Sequence, residues 1–104
     1  MTLRELLEAA ALGLDDTGSS SDDVGAITWS RRGRAFAALS ADGSVASFAL
    51  DPAVAAAAIR TPDTTDSPRG AGWVDFVPGD LDDHAADRAE AWFESAHRRM
   101  APRD

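Results

Sequence analysis

Apolar residues recur at helical spacing near both ends of the chain and gather in short runs between them. Leu3, Leu6, Leu7 and Ala10 fall on one stripe, so residues 2 to 12 predict an amphipathic helix. Thr2-x-x-Glu5 has the form of a capping box, in which each side chain accepts from the other residue's backbone N–H, and Gly13 is the natural stop. Near the other end Leu81, Ala85, Ala89, Trp92, Phe93 and Ala96 share a stripe of a second, longer helix. Asp80, Asp82 and Asp83 crowd its first turn, where the macrodipole favours negative charge, and Arg98 and Arg99 stand in its last, where it favours positive.

Between the helices the pattern changes to strands. Ala26-Ile27-Thr28-Trp29-Ser30 is a candidate strand ending at Arg31-Arg32-Gly33-Arg34, with Gly33 as a turn residue. Ala35 to Ser40 and Ser44 to Leu50 flank Ala41-Asp42-Gly43, and Asp-Gly between such runs is a hairpin signal. Strict alternation would place Phe36 and Ala38 on one face and Ala35, Ala37 and Leu39 on the other; both sets are apolar, as a sheet covered on both sides requires. Asp51-Pro52 begins a short helix with Val54, Ala55, Ala58 and Ile59 inward, because the Asp carboxylate can accept an orphan N–H and Pro at the first helical position sacrifices no hydrogen bond. That helix stops before Thr61-Pro62, since the residue preceding proline favours extended geometry. Trp73 to Val77 reads as a further strand, closed by Pro78-Gly79.

Two stretches carry almost no apolar signal. Residues 15–25, with two acidic pairs and three serines, read as a flexible acidic and serine-rich surface loop, and Thr61 to Gly72 reads as a second loop. Residues 101–104 read as a tail. The expected architecture is therefore one α+β domain over residues 1–104: a small curved antiparallel β-sheet packed by the N-terminal and C-terminal helices, with a short helix between strands.

Composition narrows the chemistry. Alanine supplies much of the apolar 44%, so the few aromatic and branched side chains must fill the core. The chain has no cysteine, which removes disulfides, thiolate metal sites and thiol nucleophiles and suits a reducing compartment. No signal peptide or membrane span is apparent, so a cytoplasmic location is expected. The formal net charge of -8, with 18 acids against 10 basic residues that are all arginine, repels polyanions at long range unless the arginines are concentrated on one face.

Arg31, Arg32 and Arg34 make the basic cluster of the first half, and with Arg60 and Arg69 they form a candidate anion-binding patch; alternatively they are solvated residues that offset nearby Asp. Trp73, beside a Gly- and Pro-containing loop, is either a stacking surface or a core residue. His84 with Asp80, Asp82, Asp83 and Asp87 has metal-ligand residue types, but the spacing of a calcium loop is missing and helix capping explains the acids. Ser95 and His97 point to different sides of a helix, and neither a G-x-S-x-G elbow nor a phosphate-binding Gly-rich motif occurs. No catalytic constellation, cofactor or metal site is expected.

Gly33-Arg34-Ala35-Phe36-Ala37, Asp42-Gly43 and Trp73-Val74, in the order of elements above, resemble the MmcQ/YjbR family over residues 2 to 100. Arg34 stands where that family usually has Lys, and Glu94-Ser95-Ala96-His97 replaces its usual Ser-Tyr pair. The resemblance implies a YjbR-like sheet and an interaction module, for which DNA binding has been suggested by analogy of fold. The expected function is a binding module for an anionic ligand, a nucleic acid or a protein. Two alternatives are a structural homodimer or complex subunit without a small ligand, and an enzyme of unknown reaction.

Overall fold

In the computed structural model, which describes residues 2–101, a helix α1 (Leu3–Leu12) precedes four strands, β1 (Thr17–Ser21), β2 (Ile27–Arg31), β3 (Arg34–Leu39) and β4 (Ala46–Ala49). A short helix α2 (Pro52–Ala58), strands β5 (Thr64–Asp66) and β6 (Trp73–Phe76) and the long helix α3 (Asp83–Arg99) complete the chain. The six strands form one open sheet in the order β1-β2-β3-β4-β6-β5, every neighbouring pair antiparallel. The fold is α+β, with the N- and C-terminal helices packed on the sheet and α2 between strands. Most of the expected tail, residues 102 to 104, lies outside the described residues.

The local signals for α1 and α3 are realised atom by atom. Thr2 and Glu5 exchange the two capping-box hydrogen bonds, each 3.1 Å, and the Asp82 carboxylate caps α3 by accepting from Ala85 N at 2.8 Å. Asp80 thus precedes the helix.

Leu3, Leu6 and Leu7 of α1 and the alanine-rich stripe of α3 are buried over the sheet face that carries Trp29, Phe36, Phe48 and Phe76. Ala85, Ala89 and Ala96 let α3 lie close, and aromatic rings occupy the remaining volume. Phe93 meets Trp29 and Phe36 edge-on at centroid distances of 5.3 and 5.2 Å, while Trp92 sits between Phe76 at 5.3 Å and Phe48 at 6.2 Å. Each such fully buried ring contributes about 1.5–3 kcal/mol of burial free energy, so the few large side chains carry the core.

Three expectations are corrected. The acidic and serine-rich stretch contains a strand: Thr17 to Ser21 pairs residue by residue with Arg31 to Ile27. The stretch from Thr61 to Gly72 likewise holds β5, paired with β6 from Thr64↔Phe76 to Asp66↔Val74. Both strands are held by backbone pairing and bury little side-chain area, so a hydrophobic pattern could not reveal them. Finally, the register shifts at Trp29/Ser30, where Trp29 pairs with Ala37 but Ser30 pairs with Ala35. This bulge turns Phe36 onto the helix-covered face, against Phe93, and breaks the alternation that would have set it apart from Ala37 and Leu39. The opposite face carries small and polar residues, among them Thr28, Ser30, Ala38, Ser47 and Asp75, with the Ser47 hydroxyl donating to Asp75 at 2.7 Å.

Candidate functional site

Antiparallel pairing makes β2 and β4 finish at the same end of the sheet at which β3 and β6 begin. The last turn of α3 reaches this end too, since Arg31 at the close of β2 donates to His97 and Arg99 pairs with Asp51 just past β4. Arg31, Arg32, Arg34, Arg69, Arg98 and Arg99 therefore collect there. The other end holds the turns and links with Asp22 and Asp23, Asp42, and Asp80, Asp82 and Asp83. Asp15, Asp16, Asp51 and Asp66 stand at the arginine end as well, so the arginines are gathered at one end while the acids are shared between both.

The β2–β3 connection is the two-residue turn Arg32-Gly33, flanked by the pair Arg31↔Arg34. Both turn residues have positive φ, +50° at Arg32 and +83° at Gly33, the geometry that matches strand twist in a tight hairpin. This backbone aims its three arginines differently. Arg31 turns inward: Nη1 lies 3.0 Å from the His97 carbonyl and 3.3 Å from His97 Nδ1, and its buried Nε has no partner among the described residues. Because Arg31 can only donate, Nδ1 accepts, and the Nε2–H of buried His97 donates to the Asp15 carbonyl at 2.6 Å. Arg31 is therefore a strut between β2, α3 and the α1–β1 turn. Arg32 is exposed and lies 3.4 Å from Asp16. Arg34 is exposed and has no ion-pair partner among the described residues.

Arg69 and Trp73, separate candidates in the sequence, come together. The guanidinium lies over the indole, 5.5 Å from its centroid, and Trp73 is half-buried beside Ala49 of β4. The loop that presents them is closed by bonds from Ser67 N to Trp73 O at 3.0 Å and from Trp73 N to Gly70 O at 3.2 Å. Gly72 is required at its end: φ is +83°, Leu50 N donates to its carbonyl at 2.8 Å, and a Cβ there would come within 2.5 Å of Leu50 O.

Arg60 does not join this group. It follows α2 and lies near Asp63, whose carbonyl accepts from Val77 N at 2.8 Å just past β6, whereas Trp73 begins β6 at the opposite end. Arg98 and Arg99 stand in the place expected of Arg60. The sequence places these two in the last turn of a helix, and only the return of α3 across the sheet brings them to this end, with the Arg99 guanidinium near Gly72 and Asp51.

At the other end Asp22, Asp42 and Asp82 are bonded within their own turns. Asp22 accepts from Val24 N and Ala26 N, both at 3.0 Å. Asp42 accepts from the Ser40 hydroxyl at 2.7 Å and from Ser44 N and its hydroxyl, and these bonds to the charged form lower its pKa from 3.8 to about 2. Among the described residues no group of three or more His, Cys, Asp or Glu side chains is placed to hold a metal ion. No helix there is long and apolar enough to cross a membrane. Both ring nitrogens of His97 are engaged, so it offers no free base to Ser95. Comparison with protein-family models, curated proteins and solved structures gave no match.

Proposed function

We propose that the chain is a small cytoplasmic binding module of the MmcQ/YjbR type that takes an anionic ligand at the arginine-rich end of the sheet. One observation carries this reading: Arg69 lies over half-buried Trp73 at the end of the sheet to which the topology also brings Arg34, Arg98 and Arg99, while Asp42, Asp80, Asp82 and Asp83 are kept at the other. An anion approaching that end meets guanidinium groups before it meets the net negative field of the chain. Arg69 and Arg34 supply charge-assisted hydrogen bonds, and the indole supplies a surface for a planar group. Arg31 stays outside the contact set because its guanidinium braces His97.

The test is a titration followed by thermal shift and by tryptophan fluorescence, with ATP, inorganic pyrophosphate and a short oligothymidylate as probes. Binding by one of them is expected to raise the unfolding midpoint at low salt and to weaken as salt is added. Arg69→Ala and Arg34→Ala should each weaken it about tenfold, the loss of one charge-assisted bond of about 1.4 kcal/mol or more. Arg60→Ala, at the far end, should leave it unchanged. Equal losses in all three variants, or no response to any probe, would remove the anion-binding reading.

A further inference from the structure

The two edges of the sheet are built differently. β5 spans only Thr64 to Asp66 and lies between Pro62 and Pro68, which suits a guarded edge. β1 has five residues, Thr17-Gly18-Ser19-Ser20-Ser21, in unbroken register with β2, and contains no proline, charge or bulge. Its side chains are small, so another backbone could approach without meeting bulk. A Cβ built on Gly18 has nothing within 4 Å.

A cleft of about 270 Å³ opens beside this edge, between α1 and β1. Glu8, Ala11 and Leu12 form its helix side, Thr17, Gly18 and Ser19 its strand side, and Trp29 also lines it. Leu12 is 90% exposed, the largest exposure among the big apolar side chains of the described residues. An extended segment added to β1 could place an aliphatic side chain against Ala11, Leu12 and Trp29 while its backbone satisfied the free edge.

Charge selects the occupant. Asp15 and Asp16 immediately precede β1, Asp22 and Asp23 follow it, and Glu8 stands in the cleft. Arg32 offsets Asp16 at 3.4 Å and Arg4 pairs with Glu8 at 2.8 Å, leaving acids bracketing both ends of the strand. A second copy paired antiparallel about Ser19 would set Asp15-Asp16 against the partner's acidic pair after β1, which like-charge repulsion opposes. We propose that the outer edge of β1 accepts an extended basic peptide by strand addition, with one aliphatic side chain seated in the cleft between α1 and β1.

The probe is a fluorescent, end-blocked peptide of sequence Lys-Val-Lys-Leu-Lys-Val-Lys, compared with the same peptide carrying Glu for Lys. Anisotropy should show saturable binding of the basic peptide and none of the acidic one, and hydrogen exchange should show new protection in the amides of β1. The double variant Glu8→Arg with Leu12→Glu, both on the exposed side of α1, should weaken binding at least about tenfold while leaving the unfolding midpoint of the free chain in place. Binding without new protection in β1, or binding unaffected by the double variant, would overturn strand addition and leave only attraction to the acidic surface. A dimer in sedimentation that buries the β1 amides would overturn it in favour of a second copy.

Discussion

At the arginine-rich end of the sheet, polar side chains bond across long stretches of chain, whereas at the aspartate-rich end they bond to their own turns. Arg31 reaches His97 in α3, His97 reaches the carbonyl of Asp15, and Arg99 reaches Asp51. Asp22, Asp42 and Asp82 instead accept from residues no more than four positions away. The first set fixes how elements lie against one another; the second fixes where elements begin and turn. A tertiary link has no substitute if it is lost, while a local cap can be replaced by water at an exposed terminus. The two ends should therefore differ in what a single substitution does.

The largest effect is expected at His97. His97→Ala removes a buried ring that packs edge-on against Phe36 at 5.4 Å and also leaves the Asp15 carbonyl without its donor. A loss of about 2–4 kcal/mol in urea unfolding is expected. His97→Phe separates the two contributions, because it keeps an aromatic ring and removes only the hydrogen bonds; a loss of about 1–3 kcal/mol should remain. If His97→Phe were neutral, packing alone would hold this end, and the contrast with the aspartate end would fail.

A smaller, local effect is expected from Asp82→Ala. The carboxylate satisfies Ala85 N, one of the otherwise unpaired amides at the start of α3, so its removal should lower stability by about 1 kcal/mol. Hydrogen exchange should show the loosening confined to the first turn of α3. Loosening that spread to β2 or to the α1–β1 turn would mean that this cap, like His97, acts across the fold.

The same division explains what could be read from the sequence. Thr2-x-x-Glu5, Pro52, Asp42-Gly43 and the stripe through Trp92 and Phe93 act within a few residues of themselves, and their elements were legible, whereas Asp51, expected to cap α2, makes no cap bond and pairs with Arg99 instead. The backbone pairing of Gly18 to Ser30 left no such trace, and neither did the bulge that turns Phe36 onto the helices. For the candidate site, Arg69 and Trp73 lie four residues apart and meet through their own loop, a pairing that the separate readings of the arginines and of the tryptophan did not contain. Arg31 and Arg60 were grouped by charge alone; the fold directs one inward to His97 and carries the other to the far end, while Arg98 and Arg99 arrive from the opposite terminus of the sequence. Charge type is local information, but the side of a molecule on which a charge stands depends on topology.

The smallest effect concerns Asp42, and its sign follows from the turn. The Ser40 hydroxyl, then the backbone N–H and hydroxyl of Ser44, donate to the carboxylate and so favour its charged form, lowering the pKa from 3.8 to about 2. A carboxyl group whose pKa is lower folded than unfolded contributes stability above the unfolded value, and that contribution is lost as pH falls through the folded one. The β3–β4 turn should therefore hold its geometry at pH 4 and loosen as pH approaches about 2, seen as titration of the Asp42 carboxyl and of the Ser44 amide by NMR. Because the bonds are local and exposed, the packing of Phe36 against Phe93 at the other end of β3 should not respond in that window. Simultaneous change at Ser44 and at the Phe36 ring would show that the two ends of the sheet are coupled, contrary to the separation argued from their bonding.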